Sequence, residues 1–67
     1  MRLKKHSLTL RGHRTSISLE EIFWAQLQSI AKKQNRSVQE LIESIDKTRA
    51  GNLSSAIRVF IVTELIK

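Results

Sequence analysis

Apolar and polar positions change their spacing twice along this chain. Ser7 to Leu10, "SLTL", alternate; Arg11-Gly12-His13 interrupts them; alternation then resumes from Arg14 to Leu19 in "RTSISL". A period of two puts Thr15, Ile17 and Leu19 on one face of a strand and Arg14, Ser16 and Ser18 on the other. A hairpin of residues 7–10 against 15–19 is open to this pattern, but an isolated two-stranded hairpin is only marginally stable. Past Leu19 the spacing turns helical. Phe23, Leu27, Ile30 and Ala31 recur at i, i+4, i+7 and i+8, with Ile22 and Trp24 flanking that stripe. Ser18 is the expected N-cap, ahead of Glu20 and Glu21 in a first turn whose dipole favours negative charge. Lys32 and Lys33 suit the last turn, and Asn35 suits the left-handed residue that closes it.

Ser37-Val38-Gln39-Glu40 follows as a capping box, with serine at the N-cap and glutamate three residues on. It opens a second helix carrying Leu41, Ile42 and Ile45, expected to end between Asp46 and Arg49 because Ala50-Gly51-Asn52 breaks the pattern. A third helix over about 53–66 shows Leu53, Ile57, Phe60, Ile61 and Leu65 on one side. Ala56, Val59, Val62 and Ile66 widen its apolar surface, and Ser54-Ser55 suit capping at its start. The expected fold class is mainly α with one short strand, in the order strand, helix, helix, helix. No repeat or proline-rich linker divides it.

Sixty-seven residues make one domain, and a domain this small buries a modest share of its surface, so staples or partners commonly support it. The lack of cysteine excludes disulfides and thiolate zinc sites. His6 and His13 stand apart from any carboxylate and read as solvated or phosphate-adjacent, so neither a metal nor another cofactor is expected. Nothing pairs a serine with a histidine base and an orienting acid, and no glycine-rich phosphate loop is present; the chain does not read as an enzyme. No apolar run approaches the about 18 residues that span a bilayer. "MRLKKHSLTLRGH" lacks the apolar stretch of a signal peptide. A cytoplasmic protein without a membrane partner is expected. The net charge is +6, and its placement matters more than its size: Arg2, Lys4, Lys5, Arg11 and Arg14 fall in residues 1–14 with no acid, while the rest carries seven Lys/Arg against six Asp/Glu. A basic arm on a balanced body suits a polyanion.

A lone strand with unpaired backbone groups invites another strand, and a second copy of itself is the simplest one. Antiparallel pairing about a two-fold axis would set Ile17 and Leu19 of both chains on the helices and leave Arg14, Ser16 and Ser18 outward. Such a ribbon fits the major groove of B-DNA, where arginine forks to guanine and serine serves either base type. Residues 14–45, "RTSISLEEIFWAQLQSIAKKQNRSVQELIESI", resemble the ribbon-helix-helix (Arc/MetJ-type) family. The alternating strand, the apolar spacing of the first helix and "NRSVQELI" as turn and second-helix start carry the likeness. The flanks "LRGHRTSISLE" and "GNLSSAIRVF" are similar to a bacterial subgroup with a C-terminal extension.

The resemblance implies a homodimer joined by an intermolecular antiparallel β-ribbon, with higher oligomers open on DNA. It implies a sequence-specific partner, double-stranded DNA, and a role as a transcriptional regulator, a repressor by analogy, nucleoid-associated when bound. Carried over by position, Arg14, Ser16 and Ser18 contact bases, while Arg36, Ser37 and Val38 hold a phosphate at the start of the second helix. Free N–H groups and the positive dipole end favour an anion there. Lys4, Lys5 and Arg11 of the arm add phosphate contacts. Ile17, Leu19, Phe23, Leu27, Ile30, Leu41, Ile42 and Ile45 make the dimer core. The expected organisation is a basic arm over 1–13 with 7–10 as a candidate extra strand, a ribbon-helix-helix core over 14–49, and a C-terminal helix extension over 50–67. The arm could track the phosphate backbone, enter a minor groove or fold back as a hairpin over the ribbon. The rival reading is a protein-binding module, such as an antitoxin, that docks a partner through its third helix.

Overall fold

The computed structural model describes residues 2–49 and 51–67. Met1 and Ala50, the second of which falls in the break expected before the third helix, lie outside the described residues. The basic arm is a strand. β1 (Leu3–Leu10) pairs antiparallel with β2 (His13–Glu20) in a two-stranded sheet, and three helices follow: α1 (Glu21–Lys33), α2 (Val38–Thr48) and α3 (Leu53–Leu65). The hairpin left open at 7–10 therefore exists and is eight residues long on each side.

The turn explains the pairing. Leu10 faces His13 across Arg11 and Gly12, whose φ angles are 52° and 80°. Two consecutive positive φ values define a type I′ turn, which matches the right-handed twist of the flanking strands. Glycine takes that conformation freely, whereas Arg11 bears a steric cost of about 1–2 kcal/mol. Leu8 and Leu10 repay it by packing against the core.

Strand pairing also moves the start of the first helix. Because Leu3 pairs with Glu20, β2 runs two residues past Ser18, and the helix begins at Glu21. Ser18 is thus a strand residue and not the N-cap. Glu20 occupies that position and makes no side-chain cap bond. The other end is as expected: Asn35 has φ 54°, and Arg36 N donates to Ala31 O at 3.0 Å. The capping box of α2 is complete, with Glu40 N donating to Ser37 Oγ at 3.0 Å and Ser37 N to Glu40 Oε1 at 2.9 Å. Asn52, not the serine pair, caps α3 through Ser55 N at 2.9 Å.

One core serves all five elements. Ile17 and Leu19 of β2, Leu27, Ile30 and Ala31 of α1, Leu41, Ile42 and Ile45 of α2, and Ile57 and Ile61 of α3 are buried together. Burying such a side chain fully contributes about 1.5–3 kcal/mol. The residues expected at a dimer core are thereby packed within a single chain, except Phe23, which is half-buried at the rim. The expected apolar side of α3 is split: Ile57 and Ile61 face inward, whereas Leu65 is exposed along with Val59, Val62 and Ile66. No helix of the described residues is long and apolar enough to cross a membrane.

Candidate nucleic-acid interface

The register of the hairpin sorts its side chains into two faces. Directly opposed residues of an antiparallel pair project to the same side. Lys4, His6, Leu8 and Leu10 therefore share the helix side with Leu19, Ile17, Thr15 and His13. Lys5, Ser7 and Thr9 share the outward side with Ser18, Ser16 and Arg14. All six of these outward residues are exposed. Arg14, Ser16 and Ser18 stand on this face together. Lys4 and Lys5, adjacent in sequence, are sent to opposite sides.

Backbone groups follow the same parity. In a two-residue hairpin the pair flanking the turn is hydrogen-bonded, and the pairs alternate from there. The outward-pointing N–H and C=O groups thus belong to Lys5, Ser7 and Thr9 on one edge and to Arg14, Ser16 and Ser18 on the other. Two side chains from the helices meet these edges. Gln39, in the first turn of α2, brackets Thr9: its amide Nε2 donates to Thr9 O, and Thr9 N donates to Gln39 Oε1 at 3.4 Å. Ser54 Oγ, in the first turn of α3, donates to Ser18 O at 3.0 Å.

The start of α2 sits beside the β1 edge through that bracket. Ser37 is exposed, Val38 half-buried against the core, and Arg36 half-buried, with its guanidinium donating to Glu40 O at 3.3 Å and Gln34 Oε1 at 3.4 Å. Hydrogen bonding from Ser37, with Arg36 nearby, holds the Glu40 carboxyl below its ordinary range, so the capping box persists into mild acid. Arg11, expected at a phosphate, lies at the turn with its Nε 3.5 Å from Asp46 Oδ2 and most of its side chain exposed.

Glu20 and Arg58 tie α3 to the end of β2. Arg58 Nε and its terminal nitrogen reach the two Glu20 carboxylate oxygens at 2.8 and 3.2 Å. The guanidinium also stands 6.0 Å from the Phe23 ring centre. This forked bond keeps the Glu20 carboxyl below its usual range. Gln39, Ser54 and Arg58 were not legible as functional positions: Gln39 is the unconstrained third residue of a capping box, and the other two act across more than 30 residues.

His6 departs from the solvated reading. Its ring lies on Trp24 with centroids 3.7 Å apart and 8° between planes. Its Nε2 is covered, with no hydrogen-bond partner among the described residues. Burial pushes its pKa below the ordinary 6.5, Lys4 adds to the shift, and Glu21 opposes it. The folded state therefore favours neutral His6, and its stabilisation is complete above 6.5 and lost as pH falls through the depressed value. On acidification Trp24 fluorescence should change with a midpoint below 6.5 as β1 loosens from α1. His6→Phe, which keeps the stack, should abolish the transition. Its persistence in that variant would assign the titration to another group.

Comparisons place this geometry among known proteins. A family model described as ribbon-helix-helix domain matches residues 3–65, so the match takes in β1 and α3 as well as the central elements. A solved structure of an uncharacterized protein from Bordetella pertussis Tohama I is similar with a TM-score of 0.82 and 31% identity, over 97% of this chain. The chain spans 57% of the length of that protein. No curated protein matches. A strand pair with one polar outward face, a capped second helix beside it and a family match across nearly every residue lead to one conclusion: the chain belongs to the ribbon-helix-helix family.

Proposed function

We propose that this protein is a sequence-specific double-stranded DNA-binding regulator, acting as a repressor without catalysis or cofactor. In the cell it works in the cytoplasm, associated with the nucleoid when bound. The observation that carries the reading is the outward face of the hairpin, where Arg14, Ser16 and Ser18 are exposed side by side. A two-stranded ribbon built on β2 enters the major groove, where arginine forks to guanine and hydroxyls meet either base type. The start of α2 takes a phosphate and sets the register at Ser37 and Val38 with Arg36 beside them: the capping box uses Ser37 N, and the first-turn N–H groups of Val38 and Gln39 are left to an anion.

Dimerisation belongs to the same proposal. The backbone groups of Arg14, Ser16 and Ser18 point along the edge of β2 away from β1. A second copy pairing there about Ser16 would form a four-stranded sheet with the two β1 strands outermost. Two-fold symmetry then implies a palindromic or repeated half-site. Selection of a random duplex pool by the purified protein at near-physiological salt tests the reading. An enriched motif with two-fold or tandem symmetry supports it, and retention without a motif would reduce it to non-specific binding.

Lys4 and Lys5, equivalent on charge alone, should separate in salt titrations. Lys5 lies on the outward face and Lys4 on the helix side. Lys5→Ala should weaken all sequences alike and reduce the salt slope by about 1, with Lys4→Ala well below that. Equal slopes for the two variants would count against this face as the contact surface.

A second reading rests on α3. Val59, Val62, Leu65 and Ile66 are exposed there, and Ile22 of α1 lies exposed beside Leu65 along an apolar groove. Such a surface suits a protein-binding module, as in an antitoxin, and it is compatible with DNA binding by the hairpin. Sedimentation of the protein alone and with candidate protein partners separates a homodimer from a docked heterologous chain.

A further inference from the structure

We infer that β1 is a second row of the DNA-facing surface, with Ser7 and Thr9 as specificity-determining residues beside Arg14, Ser16 and Ser18. This rests on the DNA-binding reading above and extends it to a strand that the minimal ribbon does not have.

The register carries the inference. Thr9 is directly opposite Arg14, Ser7 opposite Ser16, and Lys5 opposite Ser18, and all six side chains are exposed on one face. Opposed Cβ atoms in such a pair stand about 4.5–5.5 Å apart. A duplex that touches the β2 row therefore has the β1 row immediately beside it. The chemistry fits the two ends of the face: Arg14 and Lys5 sit at diagonal corners, with four hydroxyls from Ser7, Thr9, Ser16 and Ser18 between them. Serine and threonine hydroxyls pair with either base type, and the threonine methyl suits the methyl group of thymine. The four-residue span from Thr9 to Lys5 covers about 14 Å, or roughly four base-pair steps.

A second observation fixes the position of this row. Gln39 holds both backbone groups of Thr9 from the first turn of α2. The helix start that takes a phosphate is thereby hydrogen-bonded to β1 at Thr9. A duplex anchored at Ser37 and Val38 is registered against Thr9 before any other strand residue. With a second copy at the β2 edge the two β1 rows flank the paired β2 rows about 14 Å apart, at the walls of a groove about 12 Å wide.

The test is a titration of the duplex obtained by selection, and of a scrambled duplex, with Ser7→Ala/Thr9→Ala at one salt concentration. Both changes keep the backbone that Gln39 holds, and a thermal melt of the variant confirms its fold. The expected result is a loss of about tenfold on the selected duplex from two missing hydroxyl contacts, little change on the scrambled one, and an unaltered salt slope. Wild-type affinity and preference in this variant, while Arg14→Ala loses both, would overturn the role of β1 alone. If Arg14→Ala also leaves binding unchanged, the DNA-reading face itself is wrong and this inference falls with it.

Discussion

Ile57→Ala is expected to leave most of the protein unfolded at room temperature. Ile57 is 0% exposed and sits in the same core as Leu19, Leu27 and Ile42. Truncating a buried isoleucine costs about 2–5 kcal/mol, because the transfer energy is lost and a cavity remains. A domain of this size without disulfide or metal typically has only about 3–5 kcal/mol to lose. Removing residues 52–67 should be more severe still. It deletes Ile57 and Ile61 and, with them, the Ser54 bond to Ser18 and the Arg58 fork on Glu20. Urea titration followed by circular dichroism measures both. A truncated chain that keeps a cooperative transition would show that α3 is an appendage to the core. Val59→Ala on the exposed side of the same helix is the control and should be nearly neutral.

Arg14→Ala should weaken binding to the preferred DNA sequence by about 1–3 kcal/mol, roughly 5- to 150-fold, and relax preference at the position it reads. Stability should not change by more than about 0.5 kcal/mol, since the side chain is exposed. Three other arginines are engaged: Arg11 and Arg49 meet Asp46, and Arg58 holds Glu20. Arg14 makes no hydrogen bond or ion pair among the described residues. Arg14→Lys separates the two ways an arginine could act. Lysine keeps the charge but lacks the planar fork, so it should restore non-specific affinity and leave discrimination impaired. Full activity of Arg14→Lys would point to a phosphate contact in place of a base.

The two experiments address different surfaces of one molecule. Ile57 tests whether α3 belongs to the core that presents the hairpin. Arg14 tests what the presented face does. The coupling between them runs through β2, whose Ile17 and Leu19 are buried while Ser16 and Ser18 are exposed. A strand with one face locked on a core cannot slip its register by one residue without turning its apolar face to solvent. The outward row is therefore held as firmly as the core is packed.

Local chemistry was enough to read much of this from the chain. The parity of residues 14–19, the helical period from Phe23, the left-handed Asn35 and the Ser37–Glu40 box all depend on neighbours within four residues, and each stands as the pattern implied. What depended on distant groups was not legible. The sequence "LKKH" does not alternate in polarity, so β1 could be followed only over Ser7 to Leu10. It is a strand to Leu3 because a type I′ turn and β2 supply its partner. That pairing in turn carried β2 to Glu20 and took Ser18 away from the helix cap. Likewise, the wide apolar girth of α3 suited a C-terminal extension and also a docking helix. Only the packing of Ile57 and Ile61 beneath the other elements chose the core and left Val59, Val62, Leu65 and Ile66 outside. The contacts that aim the candidate site, Gln39 on Thr9, Ser54 on Ser18 and Arg58 on Glu20, join residues 30 to 38 apart. Periodicity and capping record what a residue does with its own turn or strand, whereas these contacts form only once the chain has closed.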